Sequence, residues 1–257
     1  MNAKHITSRQ NELVKMIYKL VHTPGSYHQT NKIWLEGDHL CQAYMDKIGH
    51  PLSIVCSASS FEGNKYPALL SESSNLYVLD DALFEHISGL QSQTGIGFLI
   101  SPNTSSIIDP DTPTVILDRL QDPGNVGSIL RTAAAFGFSQ IIAIKGTCAL
   151  WSSKVLRAGM GAHFSLQIAE HVAPENLNAL KLPIITTSSH TTQILQKSQL
   201  PWPCAWVFGH EGQGISNEIT RISSLAVCIE QPGGEESLNA AIAASICMYE
   251  STRQKTN

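Results

Sequence analysis

Beyond residue 113 the chain alternates short apolar runs with helical or polar segments, and this alternation restricts the fold more than any other feature. TVILD (114–118), QIIAIKG (140–146), LPIITTS (182–188), CAWVFG (204–209) and SLAVCIE (224–230) read as buried strands. Between and after them, NVGSILRTAAAFG (125–137) reads as a helix closing on Gly137, and SLNAAIAASICMYES (237–251) as the last helix. An alternating order predicts an α/β fold, a parallel sheet with helices on both faces. In such sheets ligands collect at the carboxyl ends of the strands, which directs attention to the loops found there.

The segment PNTSSIIDPDTP (102–113) gathers Pro, Ser, Asn and Asp between two apolar stretches and marks a domain boundary. Before it, residues 8–21 carry Leu13, Ile17 and Leu20 at the spacing of an amphipathic helix. Strand-like runs follow at LSIVCS (52–57), NLYVLD (75–80) and IGFLIS (96–101), with a helical stretch at 37–47. The first part is therefore expected to be a small α/β unit of its own. A chain of 257 residues can supply both units with a core.

Composition narrows the function classes. Hydrophobic residues at 42% and charged residues at 15% suit a globular protein, and the longest near-apolar stretch, residues 238–249, is too short to span a membrane. A polar N-terminus is unlike a secretory signal, so the cytoplasm is the expected location. Six scattered cysteines with no C-x-x-C pair predict reduced thiols and no metal site. The net charge of −4 argues against indiscriminate nucleic-acid binding, yet the first 34 residues hold Lys4, Arg9, Lys15, Lys19 and Lys32 against Glu12 alone. Such a run is either a local basic face for RNA or an ordinary solvated helix face.

Three loops carry candidate chemistry. In DRLQDPGNVGSILR (118–131), Pro123-Gly124 turns the chain, Asn125 is placed to cap the following helix, Gly127 opens its first turn, and Arg131 lies on the face of Gly127. In VFGHEGQGIS (207–216), Gly209, Gly212 and Gly214 surround Glu211 directly after a strand, exposing backbone donors. In IEQPGGEESLNAAIAAS (229–245), a Pro-Gly-Gly turn leads to Ser237, a candidate N-cap, and Asn239 at the start of an Ala-rich helix. None matches a P-loop or a G-x-G-x-x-G fingerprint, which weighs against a phosphate-binding nucleotide enzyme. Taken singly, each loop is also what an ordinary capped helix or tight turn looks like.

In order, N-x-G-x-x-x-R, G-x-E-G-x-G and a terminal E-S-L-N helix resemble the three signature motifs of the SpoU (TrmH-like) family of SPOUT methyltransferases, and KVLRAGMGAHF (154–164) resembles that family's intervening segment. The first part, through ITSRQNELVK and LEGDHL, is similar to the family's substrate-binding domain, itself like ribosomal protein L30e. The resemblance implies an L30e-like RNA-binding domain over 1–105 and a SPOUT catalytic domain over 112–257 whose C-terminal segment forms a trefoil knot. It implies a homodimer and S-adenosylmethionine-dependent methylation of a ribose 2′-hydroxyl in structured RNA, either ribosomal or transfer RNA, with ribosomal RNA favoured. Arg131, Asn125, Glu211, Ser237 and Asn239 match the family's active-site side chains. Gly209, Glu211, Gly214, Ile229, Gln231, Leu238 and Asn239 match positions around the cofactor. The family usually carries Pro-Met where Glu230-Gln231 stands here, and N-V-S where Asn239-Ala240-Ala241 stands.

In-line transfer from a sulfonium carbon requires alignment and a hydroxyl whose proton is shared. Since a guanidinium is a poor base, Arg131 is expected to stabilise the developing alkoxide or grip a phosphate, with Asn125 and Glu211 orienting it. Two other readings compete: a non-catalytic RNA-binding protein on the same fold, and a base methyltransferase using Cys204 as nucleophile. Cys204 reads better as the buried start of a strand.

Overall fold

A computed structural model of the chain describes residues 3–71, 75–91, 94–103, 107–188, 191–234 and 237–255. It divides into two compact units, Met1–Pro102 with Trp151–Phe164, and Asn103–Leu150 with Ser165–Asn257. The division falls at the Pro/Ser/Asn-rich boundary, but the 154–164 segment groups with the first unit and not with the strands that flank it in sequence.

The first unit runs β1 (Lys4–Ile6), α1 (Glu12–His22), α2 (Tyr27–Thr30), β2 (Ile33–Glu36), α3 (Asp38–Lys47), β3 (Ser53–Ser57), α4 (Ala58–Glu62), α5 (Pro67–Ser71), β4 (Leu76–Leu79), α6 (Asp81–Ile87) and β5 (Ile96–Ile100). Its sheet has the order β1-β4-β3-β5-β2, with β5 antiparallel to both neighbours. The first helix starts at Glu12 and not at Ser8, because the Asn11 side chain accepts from the Leu13 N–H at 2.9 Å and fixes the N-cap. Within LEGDHL, Glu36 accepts from the Ser88 hydroxyl and from the Gly89 N–H at 2.9 Å, which ties β2 to the turn after α6. Of the N-terminal cations, Lys15 pairs with Glu12 at 3.0 Å and Lys19 donates to Gln29 at 2.7 Å, as a solvated helix face would.

The second unit runs β6 (Thr114–Asp118), α7 (Pro123–Ala135), β7 (Gln140–Ile144), then, after α8 (Ser153–Gly159) in the other unit, β8 (Gln167–Val172), β9 (Ile184–Thr187), β10 (Ala205–Gly209), α9 (Asn217–Ile222), β11 (Leu225–Val227) and α10 (Ala240–Lys255). All five pairings in its six-stranded sheet are parallel, in the order β11-β9-β10-β6-β7-β8, as the alternating sequence predicts. Every residue of β6 and β7 is buried, the mark of a parallel sheet covered on both faces. One face buries Ile116, Ile142, Ile184 and Val207 with Leu177 and Ile219. From the neighbouring positions, Trp206 is buried in β10 and its indole N–H donates to Ser251 of α10 at 2.9 Å. The parallel register sets Asp118, the last residue of β6, beside Gly209, the last of β10. Two of the three candidate loops therefore leave the sheet side by side.

Candidate active site

The buried end of β6 organises both loops. Asp118 is fully buried in an otherwise apolar strand, a costly place for a carboxylate unless it is paired and hydrogen-bonded. Arg119 pairs with it at 2.9 Å, and the Ser216 N–H donates to its second oxygen at 2.6 Å. Arg119 itself has φ +61°, a left-handed conformation uncommon outside glycine. Its backbone N–H donates to Thr147 at 3.1 Å, and its guanidinium donates to Gln213 Oε1 at 2.9 Å and to the Gly214 carbonyl at 3.3 Å. A strained residue is thus held by bonds that fasten loop 207–216 to the sheet. Arg119 is not among the sequence candidates; the signal for it is the acid closing an apolar strand, which demands a cation nearby.

Within that loop, His210 Nδ1 accepts from the Gly212 N–H at 3.0 Å and from the Gln213 N–H at 3.3 Å. The His210 carbonyl accepts from the Gly214 N–H at 2.8 Å. His210 shapes the turn around Glu211, a role its sequence position alone does not disclose.

The helix after β6 begins three residues earlier than a cap at Asn125 would place it. Asp122, not Asn125, is the N-cap of α7: its carboxylate accepts from the Asn125 N–H at 2.7 Å and Pro123 takes the first helical turn. The Asn125 side chain is thereby free for tertiary contacts. Its Nδ2 donates to Glu211 at 3.1 Å, and its Oδ1 accepts from Asn239 Nδ2 at 2.9 Å. Glu211 also accepts from the N–H groups of Gln121 and Asp122, each at 3.3 Å. Asn239, not Ser237, caps α10, its Oδ1 accepting from the N–H groups of Ala241 at 2.9 Å and Ile242 at 3.3 Å. One side chain from each candidate loop thus forms a continuous chain, Glu211–Asn125–Asn239. Thr132 of α7 and Ser245 of α10, hydroxyls 3.1 Å apart, add a second link between the two helices.

Burial acts to raise the Glu211 pKa, but its own backbone N–H, the Asn125 amide and the Gln121 and Asp122 N–H groups outweigh it and hold the carboxyl below its ordinary value. A lowered acid contributes stability above the unfolded-state value and loses it as pH falls through the folded one. The stability difference between wild type and Glu211→Gln, from urea unfolding, is therefore expected to be equal at about pH 5.5 and pH 7 and to shrink below about pH 4. A difference growing between the two higher values would contradict a lowered Glu211.

A cavity of about 190 Å³ lies at the carboxyl ends of β9 and β11, lined by Thr187, Ser188, Val227, Cys228, Ile229, Gln231, Ser237, Leu238 and Ala243. It collects Ile229, Gln231 and Leu238 from the predicted cofactor positions, and Ser237 from the predicted catalytic ones. Gly209, Glu211, Gly214 and Asn239 are not in its wall, although Asn239 directly follows Leu238. A wider cleft of about 570 Å³ follows the ends of β6 and β7, between Asp118, Arg119, Lys145 and loop 213–218. Arg131 stands exposed on α7, and its side chain makes no hydrogen bond or ion pair with any described residue. Asn125 and Glu211 bond each other, and among the described residues neither is bonded to Arg131.

A family model for the SpoU rRNA methylase family matches residues 112–249, which takes in all three loops. The chain belongs to this family. Over 97% of its length it is 32% identical to a Synechocystis sp. protein named as an uncharacterized tRNA/rRNA methyltransferase, covering 94% of that protein. It is 26% identical to a 23S rRNA guanosine 2′-O-methyltransferase of Bacillus subtilis, over 96% of this chain and 98% of that one. An S-adenosylmethionine-bound rRNA methyltransferase from Sinorhizobium meliloti has the same fold, with a TM-score of 0.84, 26% identity and 98% of both chains covered.

In this SpoU-family methyltransferase Cys204 is fully buried, and burial pushes its thiol up to about 12, so it holds no thiolate at neutral pH. Cys204→Ala is expected to leave the methyl-transfer rate within about twofold and to cost about 1 kcal/mol of stability as a small cavity. Loss of turnover in a folded variant would revive the cysteine-nucleophile reading.

Proposed function

We propose that the second unit transfers a methyl group from S-adenosylmethionine to a ribose 2′-hydroxyl of ribosomal RNA, and that the first unit holds the substrate RNA. The observation that carries this reading is the Glu211–Asn125–Asn239 chain, which joins the three motif loops where Leu238 closes the 190 Å³ cavity. The cavity fits the cofactor chemically: Val227, Ile229, Leu238 and Ala243 offer apolar surface to a purine, and the buried Gln231 Oε1 has no hydrogen-bond donor among the described residues. When bound, S-adenosylmethionine supplies an activated methyl group on a sulfonium. The protein's part is then to seat the ribose and accommodate its proton. Glu211, kept ionised, fixes the Asn125 amide, and Asn125 fixes Asn239, so the site is rigid before substrate arrives. Arg131, exposed and uncommitted among the described residues, is the cation available to a developing alkoxide or a flanking phosphate. If it works through its planar fork, Arg131→Lys lowers kcat by about tenfold or more while S-adenosylhomocysteine binding is retained; near-full turnover would exclude a fork.

A homodimer through α10 belongs to the same reading. Ile242 and Tyr249 are 53% and 55% exposed, with Ile246 between them on one stripe, and Tyr249 lies 5.9 Å from Phe136, the C-cap of α7. Large apolar side chains in one stripe suit a self-complementary interface. A trefoil knot in the C-terminal segment and a cytoplasmic location complete the proposal. The preference for ribosomal RNA draws on the names of the Bacillus subtilis and Sinorhizobium meliloti proteins. Mapping 2′-O-methyl sites in total RNA from cells with and without the gene tests it: one ribosomal position is expected to lose its methyl group. No lost site would favour a protein that binds RNA without modifying it.

A further inference from the structure

We infer that the 570 Å³ cleft at the ends of β6 and β7 holds an unpaired base of the substrate RNA, beside the nucleotide that is methylated; this rests on RNA being the methyl acceptor. The cleft shares no lining residue with the 190 Å³ cavity. Part of its wall is apolar, made by the buried Ile144 and the half-buried Pro174 and Ile215, which suits the face of a flat ring. Lys145, Asn217 and Glu218 line it too, exposed and with side chains that make no hydrogen bond or ion pair with any described residue. The buried Ser216 hydroxyl does not cap α9 and has no hydrogen-bond partner among the described residues. A buried hydroxyl left unpaired is costly, so in the wall of a cleft it points to a ligand that completes it.

The balance of charge says what kind of ligand. Asp118 and Arg119 neutralise each other at 2.9 Å, which leaves the Lys145 ammonium and the Glu218 carboxylate uncommitted among the described lining residues. A phosphate would gain from the first and be repelled by the second. The edge of a base carries N–H donors next to ring-nitrogen or carbonyl acceptors, so it engages both, and the Asn217 amide can donate or accept. Pairing would hide that edge, so the base is an unpaired one. Its place in the RNA follows from the loops. Loop 207–216 gives Ile215 and Ser216 to the cleft and Glu211 to the chain with Asn125. Gln121 joins the two sides, its amide donating to the Gly146 carbonyl beside Lys145 and its backbone N–H to Glu211.

Ser216→Ala and Glu218→Gln in the full-length protein test this, with labelled S-adenosylmethionine and ribosomal RNA as substrates. Each variant is expected to raise KM for the RNA about fivefold, while kcat and S-adenosylhomocysteine affinity stay within about twofold. Thermal melts separate binding from folding. Ser216→Ala is expected to melt at or slightly above the wild-type temperature, because it removes a buried hydroxyl that no described group satisfies. Glu218→Gln separates a base from a phosphate: with a phosphate in the cleft, losing the carboxylate lowers KM, and that result overturns the base. An unchanged KM in both variants overturns the cleft as an RNA site. Filter binding of the same RNA keeps the acceptor reading apart. A wild type that binds RNA and transfers no methyl group contradicts that reading, and the variants' binding constants then decide the cleft by the same fivefold loss. A wild type that neither binds nor methylates RNA overturns both.

Discussion

Gly209→Ala is expected to abolish methyl transfer and to lower the stability of the fold by about 3 kcal/mol. A β-carbon at this position would lie 2.5 Å from the Gly214 carbonyl carbon and the Ile215 nitrogen, and 2.6 Å from the Gly214 oxygen. All three are backbone atoms, so no rotamer change relieves the overlap. The backbone they belong to is also fastened, because Gly214 is bonded to the His210 carbonyl and to Arg119, and Ser216 to Asp118. Accommodating one methyl group therefore means moving loop 207–216 away from the end of β10, and Glu211 with it. For a chain of this size such a loss corresponds to about 6–12 °C in the unfolding midpoint. Thermal melts and initial-rate assays on the same preparation check it. A variant with wild-type midpoint and turnover would show that the loop does not make this close approach.

The second large effect is expected at Asn125. Asn125→Ala removes the only side chain that touches both Glu211 and Asn239 among the described residues. The helix cap survives, since Asp122 holds the Asn125 backbone N–H and not its amide. Stability is thus expected to change little, while kcat falls about a hundredfold through loss of alignment. S-adenosylhomocysteine affinity should be nearly unchanged, because Asn125 is not in the wall of the 190 Å³ cavity. Asn125→Asp is expected to be at least as damaging, since it replaces the donor to Glu211 with a like charge about 3.1 Å away. Comparing kcat with the binding constant in both variants decides the matter. Equal loss of cofactor binding and turnover would make Asn125 a general structural support.

Much of this is legible in the sequence, for physical reasons. The strands from 114 to 227 stand out because a parallel sheet buried on both faces needs continuous apolar runs. Three loops stand out because their glycines, caps and polar side chains follow directly on those strands. What the sequence hides depends on tertiary context. Strand β8 carries Glu170 and His171, the latter at φ +58°, where the pairing with β7 shifts register, so its pattern is broken. The cap of α7 reads as Asn125 along the chain because Asn125 and Asp122 are both good capping residues, and only the Pro at the first turn separates them. Arg119 in a left-handed conformation contradicts local preference and makes sense only once the buried Asp118 is seen. Residues 151–164 carry no local sign that they group with the first unit. Likewise, that Gln231 Oε1 has no partner among the described residues is a property of the folded cavity and of nothing in its neighbourhood along the chain.

Ribose methylation by the site that Asn125 ties together can be read out in one assay. The purified protein is incubated with methyl-labelled S-adenosylmethionine and ribosomal RNA, the RNA is digested to nucleosides, and the labelled product is identified by mass spectrometry. The expected product is a single 2′-O-methylated nucleoside, formed by the wild type and nearly absent with Asn125→Ala. Label on a base, or no label in RNA with a protein that binds S-adenosylhomocysteine, would contradict it.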